Sequence, residues 1–158
     1  MLSIGITDIK NFMTHLLSKD TFDRFYLVEA SLRMGISYHL DGHLNPDFYD
    51  SDTVLHRPYC LWKEAKPLVF HIIKGKRLPL GCRIVLAFPD MLKQALLRES
   101  HSSFQPEDIE GIYLNIIFEP GSLRLTSGIS YRAFSLDKSL DHCVEDHLQG
   151  FLKEKGIC

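Results

Sequence analysis

The sequence predicts one α+β domain built on antiparallel sheet. Three observations predict it. Residues 25–43 and 112–129 alternate apolar and polar side chains on either side of a glycine turn, the mark of hairpins with one wet face. Residues 8–18, 58–74, 90–98 and 139–155 space apolar residues three and four apart, which is the helical stripe. The 158 residues are 45% hydrophobic and 24% charged, the size and composition of a single globular domain. Residues 1–158 are therefore expected to form one domain, neither a disordered tail nor a fibre.

Each element has its own reason. Leu2, Ile4 and Ile6 alternate with small residues as a short strand. Ile9, Phe12, Met13, Leu16 and Leu17 form the stripe of helix 8–18, with Thr7 or Asp8 as its N-cap. In the first hairpin, Val28, Ala30 and Leu32 are assigned to one apolar face, and Ile36, Tyr38 and Leu40 to the facing one. Pairing Leu32 with Ile36 aligns these faces and leaves Arg33-Met34-Gly35 as the loop, with Gly35 at positive φ. A Met34-Gly35 turn would pair Leu32 with Ser37 and mix the faces. Residues 45–57 are turn-rich and acidic, hence a loop. A second helix is placed from Pro58 to Lys74, with Pro67 kinking or splitting it near Lys66 and Gly75 ending it. Cys82–Phe88 is a strand running into helix 90–98.

In the second hairpin, Ile112, Leu114, Ile116 and Phe118 alternate on one arm, and Leu123, Leu125, Ser127 and Ile129 on the other, around Pro120-Gly121. A last strand, 130–135, precedes the C-terminal helix, which Asp137 or Ser139 caps. The order strand–helix–hairpin occurs twice, in pseudo-repeat halves of about 1–50 and 82–135. Helix 58–74 is then an insert and helix 139–155 an addition.

Composition excludes several functions. Eighteen Lys+Arg against twenty Asp+Glu give a net charge of -2, so the chain is not a globally basic nucleic-acid binder, though a local patch remains open. The four cysteines form no Cys-x-x-Cys pair, which removes zinc-finger and thioredoxin-like readings and fits free thiols in a reducing cytosol. The first residues lack a basic segment followed by an apolar one. No apolar run approaches the roughly 20 residues of a membrane span. The expected location is cytoplasmic, without a membrane partner. Asp47, Asp50 and Asp52 miss the glycine and glutamate of a calcium loop.

Asp8-Ile9-Lys10-Asn11-Phe12-Met13 with Leu27-Val28-Glu29-Ala30, Leu61-Trp62-Lys63 with Ile73-Lys74-Gly75-Lys76-Arg77, and Leu123-Arg124-Leu125-Thr126-Ser127-Gly128 with Leu136-Asp137-Lys138-Ser139 together resemble an uncharacterised bacterial family of unknown function. The resemblance implies no activity. The doubled order of elements has a looser likeness to the sliding-clamp fold of DNA replication. That likeness implies two helices on one side of curved sheets. It would direct the polar faces of helices 8–18 and 90–98 at a partner through Lys10, Asn11, His15, Lys19, Lys93, Gln94 and Arg98.

Two constellations offer chemistry. Lys74, Lys76 and Arg77 flank Gly75 in a compact loop, with Arg83 nearby in sequence; such a group can hold phosphate or a nucleic-acid backbone. On the hairpin's polar face the expected register sets Glu29 opposite His39, with Asp41 and His43 following. Glu29, His39 and Asp41 would then form a site for a divalent transition metal. No nucleophile elbow or phosphate-binding glycine loop occurs, and the Cys143–His147 pair reads as a structural thiol beside a helical histidine. The expected function is thus a binding module, contacting DNA or another phosphate-bearing partner through the basic loop. The alternatives are a small metal-dependent enzyme using Glu29, His39 and Asp41, or a protein–protein interaction domain.

Overall fold

The computed structural model describes residues 1–158, and its strands run where the chain alternates. In chain order these are β1 (Ser3–Gly5), α1 (Ile9–Leu17), β2 (Tyr26–Arg33), β3 (Ser37–Asp41), α2 (Trp62–Ile73), β4 (Gly81–Ala87), α3 (Asp90–Glu99), β5 (Ile109–Glu119), β6 (Ser122–Tyr131) and α4 (Ser139–Glu154). All strands join one antiparallel sheet in the order β1-β6-β5-β4-β2-β3. Each expected helix is present, and the α+β class holds.

The core lies on one face of this sheet. Leu32, Ile84, Leu114, Ile116 and Leu125 point into a single cluster of 29 buried residues. All four helices reach the same cluster, through Phe12 and Leu16, Trp62 and Val69, Leu96, and Val144 and Leu148. No helix packs on the other face. There Val85 and Ala87 are buried outside the core cluster.

Local chemistry explains the boundaries. Asp8 caps α1 by accepting the Asn11 N–H at 3.1 Å. Helix α2 starts four residues after Pro58, because residues 58–61 are tied to strands: His43 bridges Tyr59 and Tyr26 bridges Leu61. Glu64 then accepts the Leu61 N–H at 3.0 Å and opens the helix. Pro67 lies inside α2, which nevertheless runs unbroken from Trp62 to Ile73. The expected split does not occur, since one missing hydrogen bond is outweighed by the burial of Trp62 and Val69. Strand β6 continues to Tyr131 in place of a separate strand at 130–135. Its hairpin pairs Ile116 with Leu125 and Phe118 with Leu123, which puts the alternating apolar residues of both arms on one face. Pro120 with Gly121 at φ 80° follows the type II turn pattern.

The first hairpin corrects the expected register. Leu32 pairs with Tyr38, Ser31 with His39 and Glu29 with Asp41. The loop is Met34-Gly35-Ile36, Gly35 has no positive φ, and Ile36 is exposed. The shift is two residues, so the apolar and polar faces are preserved. A second correction concerns Val28. Strand β2 bulges between Leu27 and Glu29 against β4, so Leu27 joins the core in place of Val28.

The two halves share their order of elements but are wired differently. Strands β4, β5 and β6 are contiguous, whereas β1 pairs with β6 at the far side of the sheet from β2 and β3. The sliding-clamp likeness is not confirmed.

Candidate functional site

The register that forms the core also arranges the uncovered face. Reading across the sheet, His39, Ser31, Arg83, Ile117, Arg124 and Gly5 are successive strand partners. Arg33 lies two residues along β2 from Ser31, at the end of the sheet where α2 returns to β4. The Leu80 N–H donates to the Arg33 carbonyl at 2.8 Å, and Arg33 Nη2 donates to the Leu80 carbonyl at 3.4 Å. Gly81 has its neighbour's guanidinium where a side chain would sit: a Cβ there would lie 2.7 Å from Arg33 Nη2. Arg33 and Arg83 share the wall of a shallow cavity of about 160 Å³ with Ser31 and Glu119.

Lys74, Lys76 and Arg77 stand at this same end. Lys74 closes α2 with an extended ψ, and Gly75 at φ 143° carries the chain out of the helix axis. All three side chains are exposed. None of Arg33, Lys74, Lys76, Arg77 and Arg83 takes part in a salt bridge. The acids Asp41, Asp108 and Glu110 gather at the opposite end of the strands.

The sequence singles out Lys74, Lys76, Arg77 and Arg83 and places Arg33 in a loop; the structure puts Arg33 in β2, alternating with Glu29 and Ser31, and adds Arg124 on the same face.

The other candidates are not assembled. Glu29 faces Asp41 and not His39. Asp41 accepts the His43 N–H at 2.9 Å, and its Oδ1 lies 2.6 Å from His43 Nδ1; these bonds from His43 hold its carboxyl below the ordinary range. His39 Nδ1 lies 3.1 Å from Ser31 Oγ. No three His, Cys, Asp or Glu side chains stand together so as to hold a metal ion. The expected contact face of α1 is also broken. His15 is buried with Nδ1 2.7 Å from Thr21 Oγ1, Asn11 Nδ2 donates to the Gly156 carbonyl at 3.1 Å, and on α3 Lys93 leans 3.8 Å from Asp90.

Cys143 donates its thiol to the Leu96 carbonyl at 3.6 Å, and burial raises its pKa, which leaves it a weak nucleophile. It shares an open groove of about 630 Å³ with Glu99, His142 and His147. Ser127 is buried and bonds the Leu2 N–H at 3.0 Å, joining β1 to β6.

A second shallow cavity, about 330 Å³, opens on the uncovered face between Glu29, Arg83, Tyr113, Asn115 and Ser130, floored by Val85. Tyr113 lies over Gly111, where a Cβ would come 2.4 Å from its hydroxyl. Tyr59 meets Tyr113, and burial raises the pKa of both phenols.

Comparison with known proteins adds little chemistry. A stretch of 57 residues, 36% of this chain, is 39% identical to the small ribosomal subunit protein uS4m of Arabidopsis thaliana. The match spans 13% of that protein's length. No solved structure matches the chain. Residues 15–158 match the family of unknown function DUF5721, and the chain belongs to that family.

Proposed function

We propose that the chain is a non-catalytic binding module that receives a phosphate-bearing partner at the basic end of its sheet. One observation carries the reading. Arg33 and Arg83 lie toward one end of the sheet, the segment that carries Lys74, Lys76 and Arg77 joins that end where Leu80 bonds Arg33, and none of the five has an ion-pair partner. In a protein of net charge -2, five cations without ion-pair partners beside one carboxylate, Glu119, leave a local positive excess that favours an anionic partner. Arginine adds bidentate geometry for phosphate oxygens.

The metal-dependent enzyme is less well supported, because Glu29 and His39 are not partners and Asp41 is engaged by His43. The short stretch shared with the small ribosomal subunit protein does not bring that protein's assembly to this chain. The test is an anisotropy titration at low salt with a labelled single-stranded oligonucleotide, displaced by inositol hexakisphosphate. Binding should weaken in the variant combining Lys74→Ala, Lys76→Ala and Arg77→Ala, and further with Arg33→Ala. Unchanged binding in both variants, or none by the parent at tens of micromolar, refutes the reading.

A further inference from the structure

The basic end is not only basic. Ile36, at the tip of the first hairpin, is 68% exposed, and Leu78 and Leu80 are 73% and 61% exposed. The segment is held in this posture. Pro79 between the two leucines is buried, and Leu80 is bonded to the Arg33 backbone just before the hairpin turn. Burying the proline directs both leucine side chains outward. Ile36 stands beside them because Arg33 pairs with both Ser37 and Gly81. Three exposed aliphatic side chains thus stand at one end of the sheet, with the exposed cations Lys74, Lys76, Arg77 and Arg33 beside them along the chain.

We infer that this end docks on an anionic lipid bilayer, with Ile36, Leu78 and Leu80 entering the interface and the cations facing headgroup phosphates. The inference rests on the phosphate-binding reading above and specifies its partner. Aliphatic side chains with a ring of one charge sign match a surface that is apolar beneath and anionic above. A nucleic acid offers no use for them: a strand is held by stacking on aromatic rings, and these three side chains are aliphatic. The sequence expectation of no membrane partner came from the missing span. No helix here is long and apolar enough to cross a membrane, and a surface contact requires none.

The experiment is co-sedimentation with phosphatidylcholine vesicles, with and without phosphatidylserine, beside the oligonucleotide titration in the same buffer. The parent should sediment with the phosphatidylserine vesicles only, and less so as salt is raised. Ile36→Ser, Leu78→Ser and Leu80→Ser combined should lower vesicle partitioning at least tenfold and leave oligonucleotide binding unchanged. These positions are exposed, and circular dichroism checks that the fold is intact. Each cation removed should lower vesicle partitioning about fivefold. Oligonucleotide binding without vesicle binding overturns the bilayer and leaves the phosphate reading standing. Loss of both ligands by the parent overturns both. An apolar variant that binds vesicles like the parent, or that instead converts a dimer to a monomer, also overturns the docking surface.

Discussion

Trp62 shows how one residue ties two helices together. Its ring is fully buried in α2, and its Nε1–H donates to the Leu16 carbonyl at the end of α1 at 2.8 Å. Trp62→Phe keeps most of the apolar burial and orphans that carbonyl, so it should cost about 1–3 kcal/mol. Trp62→Ala adds a cavity and should cost about 3–5 kcal/mol. Urea midpoints compare the two. Gly42 is constrained by space. A Cβ there would lie 1.8 Å from the Leu27 backbone oxygen, and the Gly42 N–H donates to the Val28 carbonyl at 2.9 Å. The backbone must move to admit alanine, so Gly42→Ala should cost about 3 kcal/mol or more and open residues 43–61 to limited proteolysis.

His15 supplies a pH dependence. Burial first, then the charge of Lys19, lowers its pKa from 6.5. The unfolded chain therefore takes up this proton before the folded one, and stability falls as pH drops through 6.5 toward the lowered value. His15→Gln keeps a partner for Thr21 and removes the titration. It should shrink the difference between urea midpoints measured at pH about 7.5 and about 5.5.

At the scale of elements, short side chains decide how pieces join. Asp137 precedes α4 and accepts from the Ser139 N–H and hydroxyl at 2.9 and 2.6 Å, and from the Ser103 N–H at 3.0 Å. It thereby anchors the start of α4 to the segment after α3. Those donors, led by the Ser103 N–H, hold its carboxyl far below the ordinary value of 3.8. The folded form keeps the anion longer than the unfolded chain, so the contribution is present above pH 3.8 and is lost as pH falls beneath it. Asp137→Asn should lower the melting temperature at neutral pH and flatten the acid limb of the stability profile between pH ~5 and ~2.

The first hairpin shows the limit of arguing elements alone. Pairing apolar faces admits every register that differs by two residues. The observed choice leaves Ile36 in the turn and places Arg33 against Gly81, because β4 must also pair along β2.

At the scale of the molecule, one sheet face carries every helix and the other carries none. Five cations without ion-pair partners lie toward one end of this sheet, with Glu119 the carboxylate beside them. This local excess predicts a salt dependence without a large affinity. Each phosphate neutralised on a single strand contributes a slope of about -0.7 in log affinity against log salt. With the five cations of the basic end, the slope should not exceed about -3.5. A steeper slope in the oligonucleotide titration would place the contact elsewhere on the surface.

The alternation of Ile112 to Ile129 around Pro120-Gly121 by itself determined the second hairpin, and the stripes of Phe12 to Leu16 and of Leu140 to Leu152 determined α1 and α4. Those signals are local: period and turn chemistry act within a few residues. Local patterns also sorted polar from apolar faces in the first hairpin, and identified Lys74, Lys76 and Arg77 as a basic cluster. Tertiary structure alone decided which strands are neighbours. Strand β1 pairs with β6 and β2 with β4, contacts between residues far apart in sequence that no periodicity encodes. It also decided the bulge at Val28, the burial of His15 and Pro79, and the meeting of Arg33 with Leu80. The physical reason is shared. A sheet strand must satisfy hydrogen bonds on both edges at once, so its register is a compromise between two partners, and only the assembled sheet contains both.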